Sequence, residues 1–299
     1  MATSRTLPPV LAPAADVAAA EPVGGRHDPG AARRASAGPR LGPGAALGLG
    51  VAVIYLSLLV LIPLAAVVYT STQNGAAGFW DAVTAPDARS ALVLTLGAAA
   101  LVTAVNTVMG TVLAWVLVRD SFPGRSLVDA LVDLPLVLPT IVAGLVLVEL
   151  YGPSSPVHVN LAYTQAGVAL ALLFTTLPFV VRTVQPVLAE LDRDAEQAAA
   201  SLGASPSVVL RRIVLPALVP AMLAGAALAF TRAIAEFGAT VLISGNIPGS
   251  TQVASVQIFG QVESDNTAGA AAVSTVLLTV ALLVLTAMSV VQRWARRRG

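Results

Sequence analysis

Six long runs of apolar residues, separated by short polar segments, dominate the chain after residue 44. A helix needs about 20 residues to cross a hydrocarbon core of about 30 Å, and each run is long enough. Because only helices and closed barrels satisfy their backbone groups in lipid, the pattern predicts an all-α integral membrane protein with six transmembrane helices. The predicted spans are 45–70, 91–118, 128–151, 166–187, 217–245 and 268–291.

The composition agrees with a membrane protein and excludes several chemistries. Of the 299 residues, 56% are hydrophobic and only 11% are charged, and the mean hydropathy is +0.82. Cysteine is absent and histidine occurs twice, so disulfides and thiolate or histidine-rich metal sites are excluded, and we expect no bound metal. The spans contain no nucleophile with a base, so we expect no catalytic residues and no enzyme activity on this chain.

The basic residues exclude one type of nucleotide site. All 17 of them are arginine, and lysine is absent. A phosphate-binding loop of the Walker type needs a lysine to reach the β- and γ-phosphates. We therefore expect this chain to bind no cofactor. If ATP drives its function, ATP and Mg must be bound by a partner ATPase.

The arginines also predict the orientation and the domain organisation. With the N-terminus inside, fifteen arginines lie on the cytoplasmic side, Arg89 alone lies outside, and Arg232 lies within a span. By the positive-inside rule, both termini are cytoplasmic. The predicted parts are a disordered cytoplasmic tail (1–44), the first transmembrane helix with an outer loop (45–90), the main transmembrane domain (91–291) and a basic cytoplasmic tail (292–299).

The polar segment 188–215, between the fourth and fifth spans, has the signals of two short helices. Asp192 or Asp194 can cap the first helix, Gly203 suits the left-handed position that ends it, and Ser205-Pro206 suits the start of the second. The small face of the first helix consists of Ala195, Ala198, Ala199 and Leu202. Small side chains allow a partner to approach closely, although alanine also simply favours helix, and the residues alone leave both interpretations open.

This segment resembles the Glu-Ala-Ala loop of binding-protein-dependent ABC importer permeases, which has a glycine and then Ile-x-Leu-Pro at fixed spacing. The matching positions are Glu196, Gln197, Ala198, Ala199, Gly203, Ile213, Leu215 and Pro216. One position departs from the pattern, because Gln197 stands where the motif has its glutamate and Glu196 lies one residue earlier. The resemblance implies that this loop couples the chain to an ATPase, through a hydrogen bond of Gln197 or through Glu196.

The resemblance extends over residues 45–291 to sulfate/thiosulfate permeases of the CysT type. The segments that carry it are 122–125, 133–140, 177–188, 233–238, 244–248 and 258–265. It implies the type I ABC importer (MetI-like) permease fold and a place in a bacterial plasma (inner) membrane. Molybdate permeases share the Glu-Phe-Gly region around Glu236, so a molybdate or tungstate permease remains the alternative.

The resemblance also implies the assembly in which such a chain works. Its partners would be a sister sulfate permease that completes a heterodimeric pore, an ABC ATPase dimer, an extracytoplasmic sulfate-binding protein and the lipid bilayer. No nucleic acid is expected. The chain would then form half of a translocation pathway for sulfate or thiosulfate.

Polar groups inside the predicted spans are candidates for that pathway. Arg232 and Glu236 stand four residues apart in the fifth span, where one charge costs about 2.5–3.5 kcal/mol. They either anchor helix packing or line the route of a dianion, and Pro139 and Thr140 of the third span are further pathway candidates. A less favoured alternative is an ion-coupled secondary transporter in which Glu236 carries the proton.

Three other polar residues have structural expectations. Asp129 and Asp133 lie near the cytoplasmic end of the third span, where we expect Arg119 and Arg125 to neutralise them. Asn106, within the second span, is expected to make a hydrogen bond to a neighbouring helix, because an unpaired amide in lipid is costly.

Overall fold

The computed structural model describes residues 43–296, and within this range the regular elements are all helical. The helices are α1 (Pro43–Leu56), α2 (Ile62–Ser71), α3 (Gly75–Thr84), α4 (Pro86–Arg119), α5 (Arg125–Val137), α6 (Thr140–Tyr151), α7 (Gln165–Glu190), α8 (Arg193–Ser201), α9 (Pro206–Val209), α10 (Leu215–Ile234), α11 (Gly238–Ile243), α12 (Ala254–Glu263) and α13 (Thr267–Arg296). The predicted disordered tail lies outside the described residues except for its last two positions.

Five helical segments of the described chain are long and apolar enough to cross a membrane. They are Leu47–Ser71, Pro86–Arg119, Gln165–Glu190, Pro206–Ile234 and Thr267–Gln292. A sixth candidate is the pair formed by α5 and α6, which are bent by 114° relative to each other. The expectation of six spans is therefore met only when this bent pair counts as one span.

The third predicted span, 128–151, is broken at Pro139. The helix stops at Val137, Leu138 is extended with ψ 135°, and α6 begins after Pro139. Proline has no N–H to donate and disfavours helical geometry in the residue before it, which explains a break at this point. Pro135, by contrast, lies buried within α5.

The prediction of a continuous fifth span over 217–245 is wrong. Helix α10 ends at Ile234, and α11 begins only at Gly238. The Glu236 carboxylate accepts a hydrogen bond from the Ala239 amide at 2.9 Å, which satisfies a backbone donor at the start of α11. The segments between the predicted spans contain two further helices of ten residues each, α3 and α12.

The centre of the bundle is formed by α4, α7 and α10, which pack closely because glycines lie at their crossings. A Cβ atom on Gly110 would lie 2.9 Å from Cβ of Val180, and one on Gly225 would lie 2.9 Å from Cα of the same valine. Asn106 of α4 donates to Thr176 Oγ1 at 2.9 Å and to the Leu173 carbonyl at 3.1 Å, both on α7. The predicted interhelical hydrogen bond of Asn106 is thus confirmed.

The outer surface of the helices is apolar, as contact with lipid requires. On α4, Val93, Leu101 and Val108 are each more than half exposed. Helix α1 belongs to a separate structural unit, and its side chains, such as Ile54, are likewise exposed. A soluble protein rarely leaves so much contiguous apolar surface in water.

Candidate coupling surface and translocation site

Residues Asp192 to Pro216, which we call the coupling segment, form the predicted arrangement of helix, glycine and helix. Asp192 is the N-cap of α8, and its side chain accepts a hydrogen bond from the Asp194 amide at 2.8 Å. Gly203 has φ +85°. Its amide bonds the Ala200 carbonyl and the Ala204 amide bonds the Ala199 carbonyl, so the glycine closes α8 as a Schellman motif.

The second half of the coupling segment joins α9 to the long helix α10 through one π turn. Ser205 is the N-cap of α9 and Pro206 is its first residue. The π turn spans Leu210–Val214 and lies directly before Leu215-Pro216. Because Pro216 cannot donate to the carbonyl four residues earlier, the helix changes its hydrogen-bond register here. A second π turn, Ser57–Leu61, likewise ends two residues before a proline, Pro63.

Helix α8 presents an exposed surface of small and apolar side chains. Gln197 and Ala198 are exposed, Ala199 is half-buried, and Leu202 is 89% exposed. An exposed leucine beside small residues is typical of a contact surface for a partner. Of the predicted loop positions after the glycine, Ile213 is half-buried, whereas Leu215 and Pro216 are exposed.

Glu196 faces in a different direction and is engaged within the chain. Its carboxylate Oε1 lies 2.5 Å from Nη2 of Arg119, the last residue of α4. The guanidinium of Arg119 also lies over the ring of Trp115, 5.5 Å from the ring centroid. The side chains of Arg119 and Glu196 are only 11% and 21% exposed.

The two broken helix pairs meet next to their breaks, and we call this contact the α6–α11 crossing. A Cβ atom on Gly238 would collide with Thr140 Oγ1 and would lie 2.8 Å from the Ile141 amide nitrogen. One helical turn further, a Cβ on Gly144 would lie 2.7 Å from the Ala239 carbonyl oxygen. The backbones of α6 and α11 therefore touch, which requires glycine at both positions.

The predicted charged pair of the fifth span lies beside this crossing. Nη1 of Arg232 is 2.7 Å from Oε2 of Glu236, and the Glu236 side chain is fully buried while that of Arg232 is 32% exposed. The contact is electrostatic, because Oε2 has no well-directed hydrogen bond. Ser255 Oγ donates to the Glu236 carbonyl at 2.6 Å and so fixes the break from α12. The pair thus closes the end of α10, whereas the sequence placed it in the middle of a span.

A cluster around Arg182 corrects the expected pairing of the two aspartates. Arg182 of α7 donates to both carboxylate oxygens of Asp133, at 2.7 and 2.6 Å, and to Asp129 Oδ1 at 2.7 Å. Arg119 is instead paired with Glu196, and Arg125 is exposed. The positive-inside pattern counts Arg182 among the cytoplasmic arginines. A charge inside the predicted span 166–187 was the signal that it needed partners on another helix.

The sequence-predicted site residues therefore fall into two groups. The coupling positions share one segment at the end of α7, whereas Pro139, Thr140, Arg232 and Glu236 gather at the two helix breaks. Within residues 43–296, no group of His, Asp and Glu side chains has the geometry to hold a metal ion.

Comparison with known proteins identifies the family. The family model described as "Binding-protein-dependent transport system inner membrane component" matches residues 106–298. The chain is 43% identical over 266 residues to the sulfate transport system permease protein CysT of Salmonella typhimurium, covering 86% of this chain and 96% of the relative. It is 44% identical over 254 residues to CysT of Synechocystis sp., covering 83% of this chain and 89% of that protein.

A solved structure shares the fold. A chain of the bacterial alginate ABC transporter, determined in complex with an alginate pentasaccharide-bound periplasmic protein, superposes with a TM-score of 0.68. The match covers 81% of this chain and 91% of that chain, at 16% sequence identity. With a family model over more than half of its length and relatives above 40% identity, this all-helical, multi-pass chain belongs to the inner-membrane permease components of binding-protein-dependent ABC transport systems.

Proposed function

We propose that this chain is the membrane-spanning permease subunit of an ATP-driven importer for sulfate or thiosulfate. The identity of 43% to a sulfate permease, extending over 86% of the chain, is the observation that supports the substrate. The exposed face of α8, ended by Gly203, supports the coupling to a separate ATPase.

The docking surface for the ATPase is the part of α8 that its own chain leaves exposed. Gln197, Ala198 and Leu202 present one hydrogen-bonding amide and two apolar contacts. Small side chains let the helix enter a groove, and an exposed leucine provides an apolar anchor. ATP and Mg are bound by the partner, because this chain has no lysine for a phosphate-binding loop.

The translocation pathway runs past the α6–α11 crossing. Irregular backbone at membrane depth is tolerated where it is buried in protein or lines a cavity, and the chain has such irregular segments at Leu138–Pro139 and at Ala235–Phe237. Arg232 is half-buried and offers a guanidinium to a dianion, while Glu236 offsets part of its charge. A transport site must release its solute, so a partly neutralised cation is better suited than a free one.

The proposed function includes an orientation of the chain in the membrane and a set of partner subunits. The end of the bundle with α8 and most of the arginines faces the cytoplasm, so both termini are cytoplasmic and the membrane is the bacterial inner membrane. A sister permease completes the pore, two ATPase subunits lie inside, and a sulfate-binding protein docks outside. The family description and the alginate transporter solved with its periplasmic protein support this assembly.

Reconstitution tests the proposal. Vesicles would contain this chain with its sister permease, ATPase and binding protein, and uptake of radiolabelled sulfate, thiosulfate and molybdate would be measured with and without ATP. We expect sulfate or thiosulfate uptake that requires both ATP and the ATPase. Uptake of molybdate alone would change the substrate, and uptake driven by a proton gradient without ATP would overturn the proposal.

A further inference from the structure

The ion pair between Arg119 and Glu196 links two elements that are distant in sequence. Arg119 ends α4, a helix of 34 residues that is long and apolar enough to cross a membrane. Glu196 lies in the middle of α8, which otherwise packs mainly on α9 and the π turn Leu210–Val214. The pair therefore connects the docking helix to a spanning helix that does not follow it in the chain.

The surroundings of the pair distinguish it from an ordinary surface contact. Exposed ion pairs hold their partners weakly because water and salt screen them. Here the guanidinium is stacked on Trp115 and its Nε is buried without an acceptor within the described chain. The stacking on Trp115 thus restrains the side chain, and within residues 43–296 its ionic contact is with Glu196.

Rigid attachment of α8 to α4 follows from this geometry. We infer that Arg119 is a positioning residue whose ion pair with Glu196 makes α4 move together with the docking helix, so that α4 receives the ATP-driven motion. This inference rests on the proposed function, because it assumes that an ATPase moves α8. It assigns a role to Arg119 and Trp115, which lie outside the coupling segment.

The inference also explains the glutamine in the coupling motif. Adjacent helix residues point about 100° apart, and here Glu196 is directed at Arg119 whereas Gln197 is exposed. Glu196 binds its own chain, and Gln197 is exposed to the partner. The carboxylate of Glu196 therefore serves a contact within the chain, and the uncharged amide of Gln197 is sufficient for the contact with the ATPase.

Substitutions of Arg119 in the reconstituted complex test the link. Arg119→Gln removes the positive charge, and Arg119→Lys retains it. Arg125→Gln is the matched control, because Arg125 is an exposed arginine only six residues after Arg119 in sequence. We expect Arg119→Gln to bind the ATPase within about twofold of wild type but to lower sulfate transported per ATP hydrolysed by about tenfold. Arg119→Lys should retain at least about a third of the wild-type amount of sulfate transported per ATP hydrolysed. Arg125→Gln should transport as much sulfate per ATP as wild type.

The absence of native cysteine permits a second test that a purely structural role would not satisfy. Arg119→Cys/Glu196→Cys should behave like Arg119→Gln, and joining the two thiols with a short bismaleimide should restore transport per ATP. A crosslink that instead abolishes transport would overturn the inference, since it would mean that the pair must open. Normal coupling in Arg119→Gln would also overturn it. Failure of the wild-type complex to use ATP would contradict the proposed function itself.

Discussion

The coupling segment and the α6–α11 crossing differ in the kind of contact that defines them. The coupling segment is exposed and built from neighbours in sequence, namely the Asp192 cap, the turn at Gly203 and the start at Pro206. The crossing is a close backbone contact around two buried glycines, Gly144 and Gly238, and Gly238 meets Thr140, nearly a hundred positions away in sequence. Substitutions should therefore damage partner binding in the first region and folding in the second.

Gly238→Ala is expected to have the largest effect. The added Cβ would collide with Thr140 Oγ1 and approach the Ile141 backbone, which cannot move without shifting α6. Overpacking of this kind costs about 3 kcal/mol. We expect a clear loss of folded protein in thermal unfolding of the detergent-solubilised chain. The matched control is Gly203→Ala, which has open space around it and only the strain of φ +85°, about 1 kcal/mol. Equal losses for both variants would contradict the comparison.

Glu236→Ala is expected to have the second-largest effect. It leaves the Ala239 amide without its acceptor and Arg232 without its partner, although Arg232 is partly exposed and water offsets some of the loss. We expect a decrease of about 2 kcal/mol in the free energy of unfolding. Glu236→Gln should restore the hydrogen bond to Ala239 and about half of this loss. Glu263→Ala, at an exposed position of α12, is the control and should have little effect. A neutral result for Glu236→Ala would show that the pair does not stabilise the break.

Ala198→Glu should affect binding and leave folding intact. The side chain is exposed on α8, so a carboxylate is tolerated by the free chain but is costly in a docked groove. We expect at least about tenfold weaker association with the ATPase, measured by co-purification at increasing ATPase concentration. Ala77→Glu, on exposed α3, should bind the ATPase normally. If Ala198→Glu associated with the ATPase as strongly as wild type, α8 would not be the docking helix.

Asp192→Ala should have the smallest effect. Loss of the cap to the Asp194 amide costs about 1 kcal/mol, confined to α8. Amide hydrogen exchange in α8 should accelerate about fivefold, while the crossing is unaffected. Asp194→Ala removes a neighbouring charge but no cap and is the control. Faster exchange at the α6–α11 crossing would show that the two regions are coupled in stability.

The sequence predicted the first region well because its signals are local. A capping aspartate, a glycine and a serine–proline start were enough to place α8 and α9. The hydropathy pattern also gave the approximate limits of four of the five long apolar segments found within residues 43–296. Local signals cannot show which way Glu196 faces, since its partner Arg119 lies 77 residues away.

The errors in the second region have the same cause. A run of apolar residues predicted one helix over 217–245, but the break at Glu236 depends on contacts with α6 and α12. The expected partners of Asp129 and Asp133 were the nearest arginines in sequence. The observed partner, Arg182, reaches them from α7, across 53 and 49 positions. Contacts of this range become visible only when the helices are packed.

ATP-dependent uptake of radiolabelled sulfate by the reconstituted complex, compared between wild type and Ala198→Glu, tests the central claim most directly. The claim is that this chain conducts the anion and receives the energy of ATP through α8. We predict uptake in wild type that requires ATP, and loss of that uptake in Ala198→Glu although the variant chain is folded and inserted. Equal ATP-dependent uptake by both proteins would contradict the account.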